Sequence, residues 1–459
     1  MKHTVYSPYD GAEIGKITLE SWNQAEEKLL KARDVFKKRL SPHERISVLR
    51  NLAVLVEKEQ DAFALSIARE GGKPLTDAKA EVTRAIDGIQ LAVSELLHGN
   101  TGIEMPMGLT KATQGHVSWT TREPRGVVFA ISAFNHPLNL LVHQVAPAIA
   151  TGCPIILKPA TATPLTAVRF VELVHEAGLP EGWCQLLLCE NDVASKLAAD
   201  PRIAFVSFIG SSKVGWMLRS KLAPGVGCAL EHGGAAPVIV DETVDIAAIV
   251  KPIVKGGYYH SGQVCVSVQR IFVQENIQEM FTEALVAEVQ KLKTGDPTKE
   301  DTDCGPLIRK DEVKRVHEWV EEAEKTGGKI LIGGKPITGT TYEPTVILNP
   351  SEKAKVSREE IFGPVVAIYP YRTLEEAIMR ANDLPGRMQS SIYTKNIESA
   401  MKAARELNAT GIMINEATTF RADWMPFGGR GVAGLGMGGI GYTMHEYTEE
   451  KLIVMKVAL

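Results

Sequence analysis

The sequence predicts an α/β protein with two parallel-sheet lobes and an extended β ribbon beside them. Three observations carry this. From residue 126, short apolar runs alternate with amphipathic stretches of helical period over short connections. Such alternation makes a parallel sheet covered on both faces. A second series of the same kind begins near residue 236. Between the helical N-terminal hundred residues and the first series lies 112–122, Ala-Thr-Gln-Gly-His-Val-Ser-Trp-Thr-Thr-Arg, whose β-formers read as extended chain. A chain of 459 residues has room for two large lobes.

The first hundred residues read as helices. Ser21 or Asn23 caps a segment through Lys38, with Ala25, Leu29, Ala32 and Phe36 near helical spacing. Ser41-Pro42-His43-Glu44 opens the next as a capping box with proline at the first position. A third runs over 61–70 and stops at Gly71-Gly72, and 77–97 is a long amphipathic stretch. In the first βα series, strands are expected at 126–132, 153–158, 184–189, 203–208 and 226–231, with helices at 138–150, 164–177, 192–199 and 212–221. In the second, strands are expected near 236–240, 268–273, 329–332, 365–370, 390–394 and 411–415, with helices at 245–258, 276–292, 310–326, 374–383 and 397–407. Residues 451–459 read as a final strand.

Composition excludes several classes. The chain is 44% hydrophobic and 23% charged, so it is neither disordered nor a disulfide scaffold. Its net charge of -4 provides no cationic field for nucleic acid or an anionic membrane, and neither partner is expected. Residues 1–8 lack the basic and apolar regions of a signal peptide. No run reaches the ~18 apolar residues of a membrane span. Six cysteines with no C-x-x-C pair point to reduced thiols and a cytoplasmic location. A disulfide between the close pair Cys184 and Cys189 is not expected. No metal site is expected either.

Ligands of open parallel sheets sit at the carboxyl ends of the strands. After the first strand comes Phe134-Asn135-His136-Pro137; Asn135 is either a turn residue or an amide donor to an oxyanion. Lys158 ends the second strand, as a solvated lysine or a cation for a cofactor's ribose or phosphate. After the fourth comes Gly210-Ser211-Ser212-Lys213-Val214, a simple capped turn or a pyrophosphate cradle at a helix start. Glu231 precedes His232-Gly233-Gly234 and either satisfies backbone donors or acts as a general base. Cys265, in a polar loop after Gly262, is an inert thiol or a nucleophile.

Taken in order, Phe-Asn135-His-Pro, Lys158-Pro159, Gly210-Ser211, Glu231 with Gly233-Gly234, Gly262-Gln263-x-Cys265, Glu360-Ile361-Phe362-Gly363-Pro364 and Pro426-Phe427-Gly428-Gly429 resemble the aldehyde dehydrogenase superfamily. The resemblance covers essentially the whole chain. It implies two Rossmann-like parallel-sheet domains: a cofactor domain (1–110 and 126–231) and a catalytic domain (232–446). A β oligomerisation element is implied at 111–125 and 447–459, in a homodimer or homotetramer. It further implies NAD or NADP as cofactor, Cys265 as nucleophile, Glu231 as base for deacylation, and Asn135 as oxyanion donor. Lys158 and Thr161 would meet the adenosine ribose, Gly210, Ser211 and Val214 the pyrophosphate, and Glu360 and Phe362 the nicotinamide end. The product would be a carboxylic acid formed through a thiohemiacetal and a thioester.

The sequence departs from the family pattern at several positions. Glu231 is followed by His232 where leucine is common. Thr161 stands where NAD-preferring members often carry glutamate, which removes a repulsion against a 2′-phosphate. Gln144 replaces a frequent lysine, and Gly436-Met437-Gly438 a frequent Gly-Arg-Glu. His136 and Arg421 are read as holding an anionic substrate tail (carboxylate, phosphonate or sulfonate), by the fork geometry of arginine; the other reading pairs Arg421 with Asp423. Two further function classes stay open: a coenzyme A-acylating relative and a non-catalytic homologue.

Overall fold

The computed structural model describes residues 2–98 and 102–457. The first sheet has six strands in the order Gly434–Leu435, Gly227–Glu231, Phe205–Ile209, Val128–Ile131, Ile155–Lys158, Cys184–Leu186. All neighbours run parallel except Gly434–Leu435. The second has seven strands in the order Lys329–Ile332, Thr345–Leu348, Val365–Tyr371, Val268–Gln274, Ala236–Val240, Gln389–Tyr393, Gly411–Ile414. Its five inner strands are nearly all buried, as β-branched runs covered on both faces should be, while the edge strands Lys329–Ile332 and Gly411–Ile414 are partly exposed.

The helices begin where their caps require. Ser41 accepts from the Glu44 amide while Glu44 bonds back to the Ser41 amide, starting Pro42–Lys58. Gln60–Gly71 stops at Gly72, whose φ of 69° is the left-handed conformation that ends helices. Pro42–Lys58 and Leu75–His98 bury Leu49, Leu52, Val82 and Ile89 against the helix Asn139–Thr151.

Four expectations are corrected. The chain does not open with helices: Lys2–Tyr6 and Glu13–Thr18 form an antiparallel hairpin that buries little beyond Val5 and Ile17. So short an apolar signal is hard to see in sequence. Thr345–Leu348 is an unforeseen strand, and Lys329–Ile332 pairs with it antiparallel, so the second series is not wholly parallel. The strand at 184–189 is only Cys184–Leu186. A short helix, Ile440–Glu446, was not foreseen; Ile440 and Met444 pack into the core of the first sheet.

The ribbon is strand His116–Pro124, paired antiparallel with Thr448–Lys456. The tail of the predicted last strand, 458–459, lies outside the described residues, as do 1 and 99–101. Cys184 and Cys189 are buried free thiols, like the other four cysteines in being unpaired. Among the described residues no helix is long and apolar enough to cross a membrane. None of them form a group of three or more His, Cys, Asp or Glu placed to hold a metal ion.

Candidate active site

Glu231, Glu360 and Arg421 lie within electrostatic reach of Cys265, and Asn135 bonds the turn that leads to Cys265. Cys265 follows a turn in which His260, Ser261 and Gly262 all have positive φ (48°, 54° and 73°). Two non-glycine residues in this region store strain, which the surroundings must hold. Asp77 Oδ2 accepts from the His260 amide at 3.1 Å, and the Ser261 hydroxyl donates to Gly305 O at 2.7 Å. Gly262 has no alternative, because a Cβ there would stand 2.1 Å from the Gly363 carbonyl. Asn135 reaches the same turn: its Nδ2 donates to Gln263 O at 2.9 Å, which leaves its second N–H for another acceptor.

Two carboxylates flank the thiol, each seated on a glycine. A Cβ on Gly438 would stand 2.0 Å from Glu231 Oε1, and one on Gly233 would stand 1.7 Å from Glu360 Oε1. Burial raises Glu231 to about 7, opposed by the Arg421 charge. Burial raises Glu360 to about 8, and its Oε1 has no partner. Burial also pushes the Cys265 thiol up, with Glu360 and Glu231 adding to the effect and Arg421 opposing it.

Arg421 does not pair with Asp423. Its Nη1 donates to the Ala422 and Met425 carbonyls at 2.7 and 2.6 Å, and its guanidinium lies 4.6 Å from the Phe427 ring centre. Its Nη2 is buried without a partner. Burial draws it down to about 10. Asp423 instead binds Arg84 through two bonds of 3.1 and 2.7 Å, and accepts from His143 Nε2 at 2.7 Å. Burial alone would raise the Asp423 carboxyl; His143 and Arg84 outweigh it and hold it well below the usual range. His136 is buried and stacked on Tyr259, with centroids 6.0 Å apart. Burial, with Lys73 and Arg84 beside it, holds His136 neutral, so it brings an N–H and no charge.

Comparison with known proteins decides the family. The profile of the Aldehyde dehydrogenase family matches residues 1–453. The chain belongs to the aldehyde dehydrogenase family. It is thereby an aldehyde oxidoreductase. It is 38% identical over 455 residues to 3-sulfolactaldehyde dehydrogenase of Priestia aryabhattai, covering 98% of this chain and 94% of that one. Aldehyde dehydrogenase 21 of Physcomitrella patens, solved with its product succinate, superposes with a TM-score of 0.97 at 34% identity, covering 99% and 95% of the two chains. Glyceraldehyde-3-phosphate dehydrogenase of Methanocaldococcus jannaschii, solved with NADP, gives 0.94 at 34% identity, covering 99% and 98%.

In this aldehyde dehydrogenase the strand ends present free groups suited to a dinucleotide. Lys158 is buried at a strand end, and its Nζ makes one bond, of 3.3 Å, to Pro159 O. Ser211 caps Ser212–Arg219 by backbone alone, leaving its exposed hydroxyl free. Thr161 is half-buried, and Val214 is exposed on the same helix start. Phe362, at φ 45°, packs edge-on to Phe134 at 5.8 Å. The orphaned Glu360 oxygen completes a set that fits a nicotinamide dinucleotide. Sequence reasoning missed Arg84, and the only signal was a basic residue one turn after Glu81 in an amphipathic helix. It also missed that Phe427 carries Arg421, since those residues meet only in the folded loop.

Proposed function

We propose that this enzyme oxidises a small aldehyde with an anionic tail to its carboxylic acid, using NAD or NADP. The observation that carries the tail is Arg421 Nη2, an unpartnered buried guanidinium nitrogen electrostatically coupled to Cys265 and Glu231. A buried guanidinium donor left unpaired is costly, and an arriving carboxylate, phosphonate or sulfonate would satisfy it. Arg84 stands behind it, charge-balanced by Asp423. The sulfolactaldehyde relative and the succinate complex support a charged tail. His136 would add one neutral hydrogen bond.

In the mechanism, Cys265 gives its thiol proton to solvent water, and Sγ attacks the aldehyde carbon. The free N–H of Asn135 and the Cys265 amide stabilise the oxyanion. NAD or NADP, when bound, would supply the hydride acceptor needed to oxidise this adduct to a thioester. Glu231, raised to about 7, then takes a proton from water, which attacks the thioester and releases the acid. Splitting one barrier in two is the advantage of the covalent route. Lys158 and Thr161 would hold the adenosine ribose, Gly210, Ser211 and Val214 the pyrophosphate, and Glu360 the nicotinamide ribose, with Phe362 beside the ring. Thr161 leaves room for a 2′-phosphate, so NADP is accepted as well as NAD.

In this reading the six-stranded lobe binds cofactor and the seven-stranded lobe carries the thiol. The ribbon of His116–Pro124 and Thr448–Lys456 pairs with a second copy of the chain; it exposes Leu452, Val454 and Met455. The deciding experiment follows nicotinamide reduction over aldehydes with carboxylate, phosphonate, sulfonate and alkyl tails, with NAD and with NADP. Turnover on anionic tails, abolished by Cys265→Ser and independent of coenzyme A, is expected. Preference for alkyl tails sinks the anionic substrate, and turnover that survives the substitution sinks the mechanism.

A further inference from the structure

His232 is one of the positions where the chain departs from the common leucine. Its ring is buried between Phe208 and Trp216, with centroids 5.8 and 6.2 Å away. Gly215 makes the space, since a Cβ there would stand 2.0 Å from His232 Cε1. Nδ1 lies 2.8 Å from the Gly210 carbonyl. A carbonyl only accepts, so Nδ1 carries the proton and Nε2 is a bare lone pair. Nε2 is buried with no protein partner. Burial lowers the basicity of the ring, which favours this single neutral tautomer.

Gly210 is thus tied through both backbone groups to one short segment. Its N–H donates to Glu231 O at 3.0 Å, and its carbonyl accepts from His232. The segment is itself anchored, since the His232 amide donates to Ala433 O at 3.0 Å. The neighbouring Val432 carbonyl takes the Ser212 hydroxyl at 2.9 Å and the Trp216 indole N–H at 3.0 Å. The start of the helix Ser212–Arg219 is therefore held from two sides, and His232 adds a side-chain bond to the turn residue itself, beside the backbone bond to Glu231.

We propose that His232 is a positioning residue for cofactor: it holds the Gly210-Ser211 turn in its phosphate-binding shape before the cofactor arrives. The inference rests on the reading of that turn as the pyrophosphate site. Leucine fills the same space without a donor. Without the tether the turn populates other conformations, and apparent affinity falls by the fraction that stays competent. The chemistry at Cys265 is not on this path, so the loss falls on binding.

The test titrates NADH and NADPH into the apo enzyme by nicotinamide fluorescence, for wild type, His232→Leu and His232→Asn. Asparagine places an amide N–H where Nδ1 stands. The leucine variant is expected to raise Kd and cofactor KM about tenfold, on the ~1.4 kcal/mol scale of one hydrogen bond. Its kcat at saturating cofactor should move less than twofold, and the asparagine variant should recover most of the affinity. Should the leucine variant fail to fold, His232→Met removes the donor with a more adaptable side chain. Unchanged Kd in the donor-free variant, or equal losses for the donor-free and asparagine variants, overturns the inference. Wild type that binds neither nucleotide overturns the dinucleotide reading beneath it.

Discussion

Glu231 rests directly on Gly438: a Cβ at 438 would lie 2.0 Å from Glu231 Oε1. Residue 438 is itself fixed by its pairing with Phe427, whose amide donates to the Gly438 carbonyl at 3.0 Å. The ring of Phe427 in turn carries Arg421. One glycine therefore sets where the proposed base stands relative to the loop that bears the proposed anion site.

Gly438→Ala should displace the carboxylate with little change to the fold, because the nearest atom met is the free end of a flexible side chain and the Phe427 carbonyl stands farther off, at 3.0 Å. Misplacing a reacting group by an ångström costs about 100-fold. Rapid-mixing kinetics should show a fast burst of reduced nicotinamide followed by slow turnover, as thioester hydrolysis becomes limiting. Loss of the burst itself would mean that the glycine serves the thiol step.

Glu231 acts as a base only when ionised, and burial raises it to about 7. Turnover should rise with pH through about 7 and level off above it. Glu231→Gln should remove that limb and cost about 100- to 10,000-fold. The stability effect has a definite sign. A carboxyl raised in the folded state binds its proton more tightly there than in the unfolded chain. It therefore lowers stability as pH rises from about 4.5 to about 7. Melting curves should show Glu231→Gln above wild type at pH 8 and level with it at pH 4. A variant that melts lower at pH 8 contradicts a carboxylate that desolvation destabilises in the folded state.

Arg421→Ala removes the unpartnered Nη2. KM for carboxylate- or sulfonate-tailed aldehydes should rise about 10- to 100-fold, the worth of a charge-assisted hydrogen bond, with alkyl aldehydes almost unaffected. An equal rise for both classes would place the arginine in the fold and not in substrate binding.

Glu81 ties the helix start just after Asn135 to a buried lysine. Its Oε1 accepts from the Leu138 and Asn139 amides at 2.9 and 3.1 Å, just after Asn135, and its Oε2 pairs with the fully buried Lys73. Glu81→Gln keeps the volume and leaves the ammonium without a counter-charge. Breaking a buried pair from one side costs about 3–5 kcal/mol. A fall in thermal midpoint with nearly unchanged kcat in the surviving folded fraction is expected. A midpoint within a degree of wild type would mean that Lys73 is neutral in the native protein.

The sequence by itself determined the element order and the strand-end residues. Apolar runs of four to six residues separated by capped amphipathic stretches specify parallel strands and their covering helices, and the capping box at Ser41 marks a helix start outright. Those signals are local, so they survive without the fold. Lys2–Tyr6, Thr345–Leu348 and Gly434–Leu435 were hidden because each owes its strand conformation to a partner and not to its own pattern. The site divides the same way. Cys265, Glu231, Asn135 and Lys158 were legible because their chemistry stands beside turn signals. Only the tertiary structure decided that Asp423 belongs to Arg84 and His143 while Arg421 keeps a free nitrogen, and that His136 is neutral. Ion pairing and protonation depend on distance and burial between residues hundreds of positions apart, and neither quantity is written in the order of the chain.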